Sequence, residues 1–152
     1  FLDEIWPLVV KQIPAAKFHL AGKKIPDSFS QYSSPNVVID GEVANAISYM
    51  QQHHIMVVPL LSGSGIRIKI LEGMALGKPI VATPRASAGI HYNDGKNILI
   101  GSQPADVAQH ILQLLQQAPL RQQLGQNARQ LIEQQYDNRV VCQEITTFYK
   151  NL

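Results

Sequence analysis

Cysteine is nearly absent. The one present, Cys142, has no internal partner for a disulfide and gives no basis for a cysteine-built zinc site. Such usage fits a reducing compartment. Charge of either sign is sparse: 13 lysines and arginines against 11 acidic residues leave a net charge of +2. That excess is too small to recruit nucleic acid or an anionic membrane. No apolar run approaches the roughly 20 residues needed to cross a bilayer as a helix. The sequence has no initiating methionine or polar leader and opens inside an amphipathic pattern, which predicts a piece of something longer. What is present is 152 residues, 45% of them hydrophobic. That is a globular composition at the length of one domain, residues 1–152, able to bury a core without disulfides or metal.

Apolar spacing supplies the elements. Leu2, Ile5, Trp6, Val9, Val10 and Ile13 recur at helical spacing, and Pro14 ends that helix. Lys17-Phe18-His19-Leu20-Ala21-Gly22 and Asn36-Val37-Val38-Ile39-Asp40-Gly41 read as strands closed by glycine, and 23–35 between them is polar and turn-rich. Val43, Ala46, Ile47 and Met50 form a helix face. Ile55-Met56-Val57-Val58-Pro59-Leu60 is a continuous apolar run, the pattern of a buried parallel strand. A helix follows with Ile70, Leu71, Met74 and Ala75 inward, stopped by Gly77 and Pro79. Strands are expected at 79–83 and 98–100. Beyond Pro104 the pattern is helical, marked by Val107, Ile111, Leu112 and Leu115, then Leu120, Leu124, Ala128 and Leu131, then Val141, Ile145, Phe148 and Tyr149. Cys142, on the last helix, is assigned to core packing. Such alternation predicts an α/β fold, a Rossmann-like parallel sheet flanked by helices, with C-terminal helices appended. Ligands in such sheets sit outside the carboxyl ends of the strands, which selects the loops after Gly22, Asp40, Leu60 and Thr83.

The chemistry concentrates in 59–83, PLLSGSGIRIKILEGMALGKPIVAT. Gly63 and Gly65 flank Ser64 between a buried strand and a helix, where glycine permits a tight turn and close approach of a ligand. The helix is expected to begin near Ile66, so its free N–H groups and positive dipole end face the ligand edge. Arg67 and Lys69 fall in its first turn, where the dipole disfavours cations, so they call for an anionic partner such as a diphosphate. Glu72 lies further along the same helix, and a carboxylate suits a vicinal diol such as a ribose.

Glu72-Gly73-Met74-Ala75-Leu76-Gly77-Lys78-Pro79-Ile80-Val81-Ala82-Thr83 resembles the signature of family 4 (group 1) glycosyltransferases. These have the GT-B fold of two facing Rossmann-like domains, and the stretch is similar to that of their second domain. Trp6-Pro7, the loop Ser87-Ala88-Gly89-Ile90, Asp94-Gly95-Lys96-Asn97 and Leu124-Gly125-Gln126-Asn127-Ala128-Arg129 extend the likeness over nearly the whole chain. The resemblance implies that Glu72 holds the ribose hydroxyls of a nucleoside diphosphate sugar, with Gly41, Gly63, Ser64, Gly65, Ile66, Arg67 and Lys69 around the rest of it. The family often has a second glutamate where this chain has Ser64, a departure that bears on the sugar contact. It also begins this domain with a strand that this chain lacks. In a Rossmann order that strand lies between the one ending at Gly22 and the one ending at Leu60. The expectation is therefore the donor half of a two-domain enzyme without its N-terminal acceptor domain. Its incomplete sheet is expected to lead to a homodimer or a rearranged sheet.

The activity so implied is retaining transfer of a glycosyl unit from a nucleoside diphosphate sugar to an acceptor hydroxyl, in polysaccharide or glycolipid synthesis. It needs no obligatory metal and no cofactor, and Arg67 and Lys69 stabilise the leaving diphosphate. The implied location is cytoplasmic, peripheral at the inner membrane face. Competing expectations are a GT-B sugar-nucleotide epimerase and a non-catalytic nucleotide-binding or scaffolding domain. His53 and His54 read as helix-terminal surface, since adjacent helical residues point in different directions, and Arg85 as a solvated loop residue.

Overall fold

The computed structural model describes residues 1–151. Helix α1 (Trp6–Gln12) starts with proline in its first turn, and its C-cap, Ile13, lies just before Pro14. Strand β1 (Phe18–Ala21) pairs in parallel with β2 (Val37–Gly41), and a 3-10 helix (Asp27–Tyr32) lies between them in the chain. Helix α2 (Ala46–Gln52) is capped by Asn45, which accepts the Ser48 amide at 3.0 Å. At its other end Lys78 donates to the carbonyls of Gln51 (3.0 Å) and His53 (2.7 Å), a cation on the negative end of the helix. Strands β3 (Met56–Val58), β4 (Ile80–Ala82) and β5 (Leu99–Ile100) form a second parallel sheet, with helix α3 (Ile68–Ala75) between β3 and β4 in the chain. Three helices complete the chain: α4 (Pro104–Gln116), α5 (Ala118–Gln135) and α6 (Asn138–Lys150).

Two apolar clusters sandwich the larger sheet, as strand alternation requires. Val57, Val81 and Leu99 face one way, onto Trp6, Val9, Ile111 and Leu114 of α1 and α4. Met56, Ile80, Ala82 and Ile98 face the other way, onto Ile70 and Met74 of α3 and Ala128 and Leu131 of α5. Side chains as fully buried as Ile70, Met74 and Ile80 contribute about 1.5–3 kcal/mol each.

The α/β architecture and strand positions agree with the sequence pattern. The strands form two sheets because β1 and β3 do not pair, an interruption at the place expected, between the strands ending at Gly22 and Leu60. Three particulars differ. Helix α3 begins at Ile68, two residues later than the expected Ile66, because Arg67 keeps an extended backbone (φ −83°, ψ 90°). Cys142 is exposed instead of packed in a core, and the α6 stripe of Val141, Ile145, Phe148 and Tyr149 is exposed with it. Helix α2 buries no residue, and Ile47 on its apolar face is 52% exposed. The last two share a cause: both helices are amphipathic, but nothing among the described residues covers their apolar faces.

Candidate functional site

The sheets lie in the order β2-β1, then β3-β4-β5, with a cavity lined by both β1 and β3. From β1 the chain moves outward to β2. It then returns through α2 past β1 to β3 and continues outward to β4 and β5. The order reverses between β1 and β3, and the carboxyl ends at such a reversal form the ligand crevice of open α/β sheets. Here those ends carry Gly22 and Lys23 after β1, the glycine loop after β3 and the turn after β4.

The loop ends are tied together. Thr83, buried at the end of β4, donates its hydroxyl to the Leu60 carbonyl and accepts the Ala86 amide at 3.2 Å. Ser87, fully buried, donates to the carbonyls of Thr83 (3.2 Å) and Pro84 (3.3 Å). Gly89 (φ 81°) lies against Ile66, where an added Cβ would sit 3.1 Å from Ile66 Cγ1. This frame fixes both ends of the glycine loop and leaves its middle exposed.

Gly63 (φ 108°) and Gly65 (φ 81°) take conformations that suit only glycine. The space over Gly63 is filled by Arg67: a Cβ there would lie 2.2 Å from Arg67 Nη2. Arg67 Nη2 donates to the Ser62 carbonyl at a long 3.4 Å, and Nε is buried with no partner among the described residues. The guanidinium is thus held at the start of α3 with donors unspent. The amides of Ile68 and Lys69 also make no backbone hydrogen bond among the described residues. Lys69 pairs with Glu72 three residues on at 2.6 Å, both half-exposed.

The structure groups the expected site residues unevenly. Gly63, Ser64, Gly65, Ile66 and Arg67 form one loop, with Lys69 and Glu72 on the helix behind it. Gly41 is not beside them: it ends β2, across β1, where it accepts the Gly22 amide at 2.8 Å. The cavity of about 1100 Å3 is lined at this edge by Gly22, Lys23, Glu42 and Lys69, and neither Arg67 nor Glu72 borders it. Arg67 turns to its own loop and Glu72 to Lys69.

One polar cluster lies outside this set. Asp40 accepts from Tyr49 (2.7 Å) and from His19 Nδ1 (3.0 Å), and His53 donates to the Tyr49 carbonyl (2.8 Å) with its ring 4.6 Å from that of His19. Spacing carries no sign of it, because its members come from β1, β2 and α2 and meet only in the fold. Burial alone would raise the Asp40 carboxyl, but the hydrogen bonds from Tyr49 and His19 outweigh it and hold the group below its ordinary value. Burial, then the Asp40 carboxylate, raises the Tyr49 phenol. A depressed carboxylate stabilises the fold above its unfolded pKa of about 3.9, and the contribution is lost as pH falls through the lower folded value. Asp40→Asn is therefore expected to lower the melting temperature at neutral pH and to shrink its fall on acidification. Thermal unfolding between about pH 3 and 7 measures both.

The glycosyl transferases group 1 family profile matches residues 1–117. An uncharacterized 44.6 kDa protein of the cps region of Klebsiella pneumoniae is 23% identical over 95% of this chain and 40% of its own length. The capsular polysaccharide biosynthesis glycosyltransferase CapM of Staphylococcus aureus is 26% identical over 76% of this chain and 31% of its own length. Among solved structures, S. aureus TarM in complex with fondaparinux, alpha-GlcNAc-glycerol and UDP superposes with a TM-score of 0.79 at 24% identity, over 92% of this chain and 30% of that one. Anabaena HepE in complex with UDP superposes at 0.77 and 16% identity, over 98% and 46%. The chain thus spans less than half of these proteins, with the fold of a GT-B glycosyltransferase C-terminal domain. With the family profile matched over residues 1–117 and the glycine loop and Glu72 helix placed at the ligand edge of this sheet, the chain belongs to the group 1 glycosyl transferases.

Proposed function

We propose that this chain is the donor-binding part of a retaining glycosyltransferase that moves a hexosyl unit from a nucleoside diphosphate sugar to an acceptor hydroxyl. The observation that carries the reading is Arg67, a guanidinium with unspent donors seated over Gly63 at the start of α3. A diphosphate oxygen supplies the acceptor that Arg67 Nε lacks. Lys69 then leaves Glu72 for the diphosphate, which frees the carboxylate to accept from both hydroxyls of the ribose. As the glycosidic bond to the donor phosphate breaks, charge grows on the leaving oxygen, and Arg67, Lys69 and the amides at the start of α3 stabilise it without a metal ion. The acceptor belongs to the part of the protein outside this chain, so residues 1–152 alone turn over no donor. CapM, named for capsular polysaccharide biosynthesis, supports polysaccharide or glycolipid assembly, on the cytoplasmic side of the membrane, as the setting.

The test is product analysis with the full-length protein, uridine and guanosine diphosphate sugars, and glycan or lipid-linked acceptors. Transfer with the donor's anomeric configuration kept, and undiminished in EDTA, is the expected result. Conversion of the sugar nucleotide without transfer would make the protein an epimerase. Glu72→Gln is expected to raise the donor KM by about ten-fold or more, the scale of lost hydrogen bonds to a charged group. An unchanged KM and unchanged nucleotide binding would leave the scaffold reading standing.

A further inference from the structure

We infer that Tyr136 is a positioning residue for the donor. Its phenol oxygen holds the loop after β4, and that loop holds the glycine loop through Gly89 and Ile66. The donor half of this role rests on the proposed transfer reaction, and the mechanical half does not. Tyr136 lies outside residues 1–117, the part that the family profile matches.

Residues 84–91 follow β4, and their inner end is fixed at Ser87, whose amide and hydroxyl both donate to the Thr83 carbonyl at 3.2 Å. Two contacts hold the outer end. The Ile90 side chain, 5% exposed, packs in the cluster with Ile98 and Leu131. The His91 amide donates to the Tyr136 hydroxyl at 2.8 Å, across 45 residues of sequence. Apolar burial is non-directional and lets a backbone slide, whereas a hydrogen bond to an amide sets its place. Gly89 lies between these anchors at φ 81°, and an added Cβ would sit 3.1 Å from Ile66 Cγ1. Ile66 is 51% exposed and belongs to neither apolar cluster, so little besides Gly89 locates it among the described residues. The next residue is Arg67, with its buried and unpaired Nε.

Tyr136 is itself firmly placed. Its ring packs against the cluster that contains Ile70, Met74 and Ala128. Its backbone closes α5, the amide donating to the Ile132 carbonyl at 2.9 Å, and Asp137 beside it caps α6 by accepting the Arg139 amide at 2.8 Å. Helix α5 lies against α3 through Gly125, Ala128 and Leu131. Tyr136 therefore sets the loop relative to the helix that carries Lys69 and Glu72. The rings of Tyr136 and His91 also meet edge on, with centroids 6.5 Å apart, a contact that phenylalanine would keep. The hydroxyl is what phenylalanine would lose.

Tyr136→Phe in the full-length protein removes that oxygen and leaves the ring. Methyl NMR without donor reads the mechanical half. The Ile66 Cδ1 signal is expected to move, while that of Ile39, which packs on the opposite cluster, stays in place. An unmoved Ile66 signal in the folded variant overturns the inference. Titration with UDP and with GDP reads the donor half. Affinity for whichever nucleotide the wild type binds should fall by about 3- to 10-fold, the scale of one neutral hydrogen bond. In an Ile66→Ala background the same substitution should cost less than about 2-fold, because the contact that carries the effect is gone. Equal losses in both backgrounds overturn the inference, since Tyr136 then reaches the nucleotide by another route. Unchanged affinity beside a moved Ile66 signal also overturns it. A wild type that binds neither nucleotide sinks the transfer reading instead, and the Ile66 signal still decides whether the loop is held.

Discussion

Arg67→Ala in the full-length protein is expected to lower kcat/KM for the sugar nucleotide by about 100- to 1,000-fold, the cost of removing one donor aimed at a developing oxyanion. The melting temperature should stay level or rise, and this combination separates a ligand contact from a structural one. Arg67 makes one long hydrogen bond, to Ser62, and keeps a buried Nε unpaired. A buried donor without a partner costs about 1–3 kcal/mol, so deleting it removes a penalty along with a weak bond. Lysine at the position should restore little, because a single ammonium cannot replace the fork of donors that a diphosphate takes. Steady-state kinetics with the donor varied, beside thermal unfolding of the same preparations, decide the matter. Wild-type kcat/KM in Arg67→Ala would remove the glycine loop from the reaction. A large fall in melting temperature would make Arg67 a brace for the loop.

The sequence was most legible where one short stretch carries several constraints at once. In 55–83 an apolar strand, two glycines, a helix stop and a second apolar strand leave few alternatives, and β3, α3 and β4 lie where that pattern requires. The start of α3 was less legible, because helix ends depend on backbone angles that Gly65 frees and Arg67 then sets. Periodicity misled at α2 and α6 for a different reason. A stripe of apolar residues says that a helix wants a partner, not that the partner lies in the same 152 residues. Val43, Ala46, Ile47 and Met50 have such a stripe, as do Val141, Ile145, Phe148 and Tyr149. Val43, Ala46 and Met50 of the first line the cavity between β1 and β3, Ile47 is exposed, and the second stripe faces outward, so neither forms a core here. Asp40, His19 and Tyr49 were illegible as a group, since only the pairing of β1 with β2 and the return through α2 bring them together.

The largest stability effect is expected at a position that touches no ligand, Gly125. Helix α3 ends in a Schellman motif: the Gly77 amide donates to the Met74 carbonyl at 2.9 Å and the Lys78 amide to that of Gly73 at 2.9 Å, with Gly77 at φ 67°. The motif fixes the direction of the Gly77 carbonyl, and α5 passes directly over it. A Cβ on Gly125 would lie 2.0 Å from that oxygen and 2.9 Å from its carbon. Both atoms are backbone held by the cap, so neither can swing aside like a side chain, and relief requires α5 to move off α3. That movement opens the contact among Met74, Ala128 and Leu131, all buried. Overpacking of this kind costs about 1–3 kcal/mol in ordinary cores and more where backbone opposes it. For Gly125→Ala we expect about 3–4 kcal/mol, a fall of roughly 10 °C in melting temperature for a domain of this size. Gly95→Ala is the comparison: its φ is 76°, but an added Cβ meets nothing within 4 Å. Its cost is backbone strain alone, about 1–2 kcal/mol. Thermal unfolding of the two variants side by side therefore separates close packing from backbone strain. Equal losses would mean that α5 slides over the α3 cap without resistance, and that the α3–α5 contact does not hold the Glu72 helix in place.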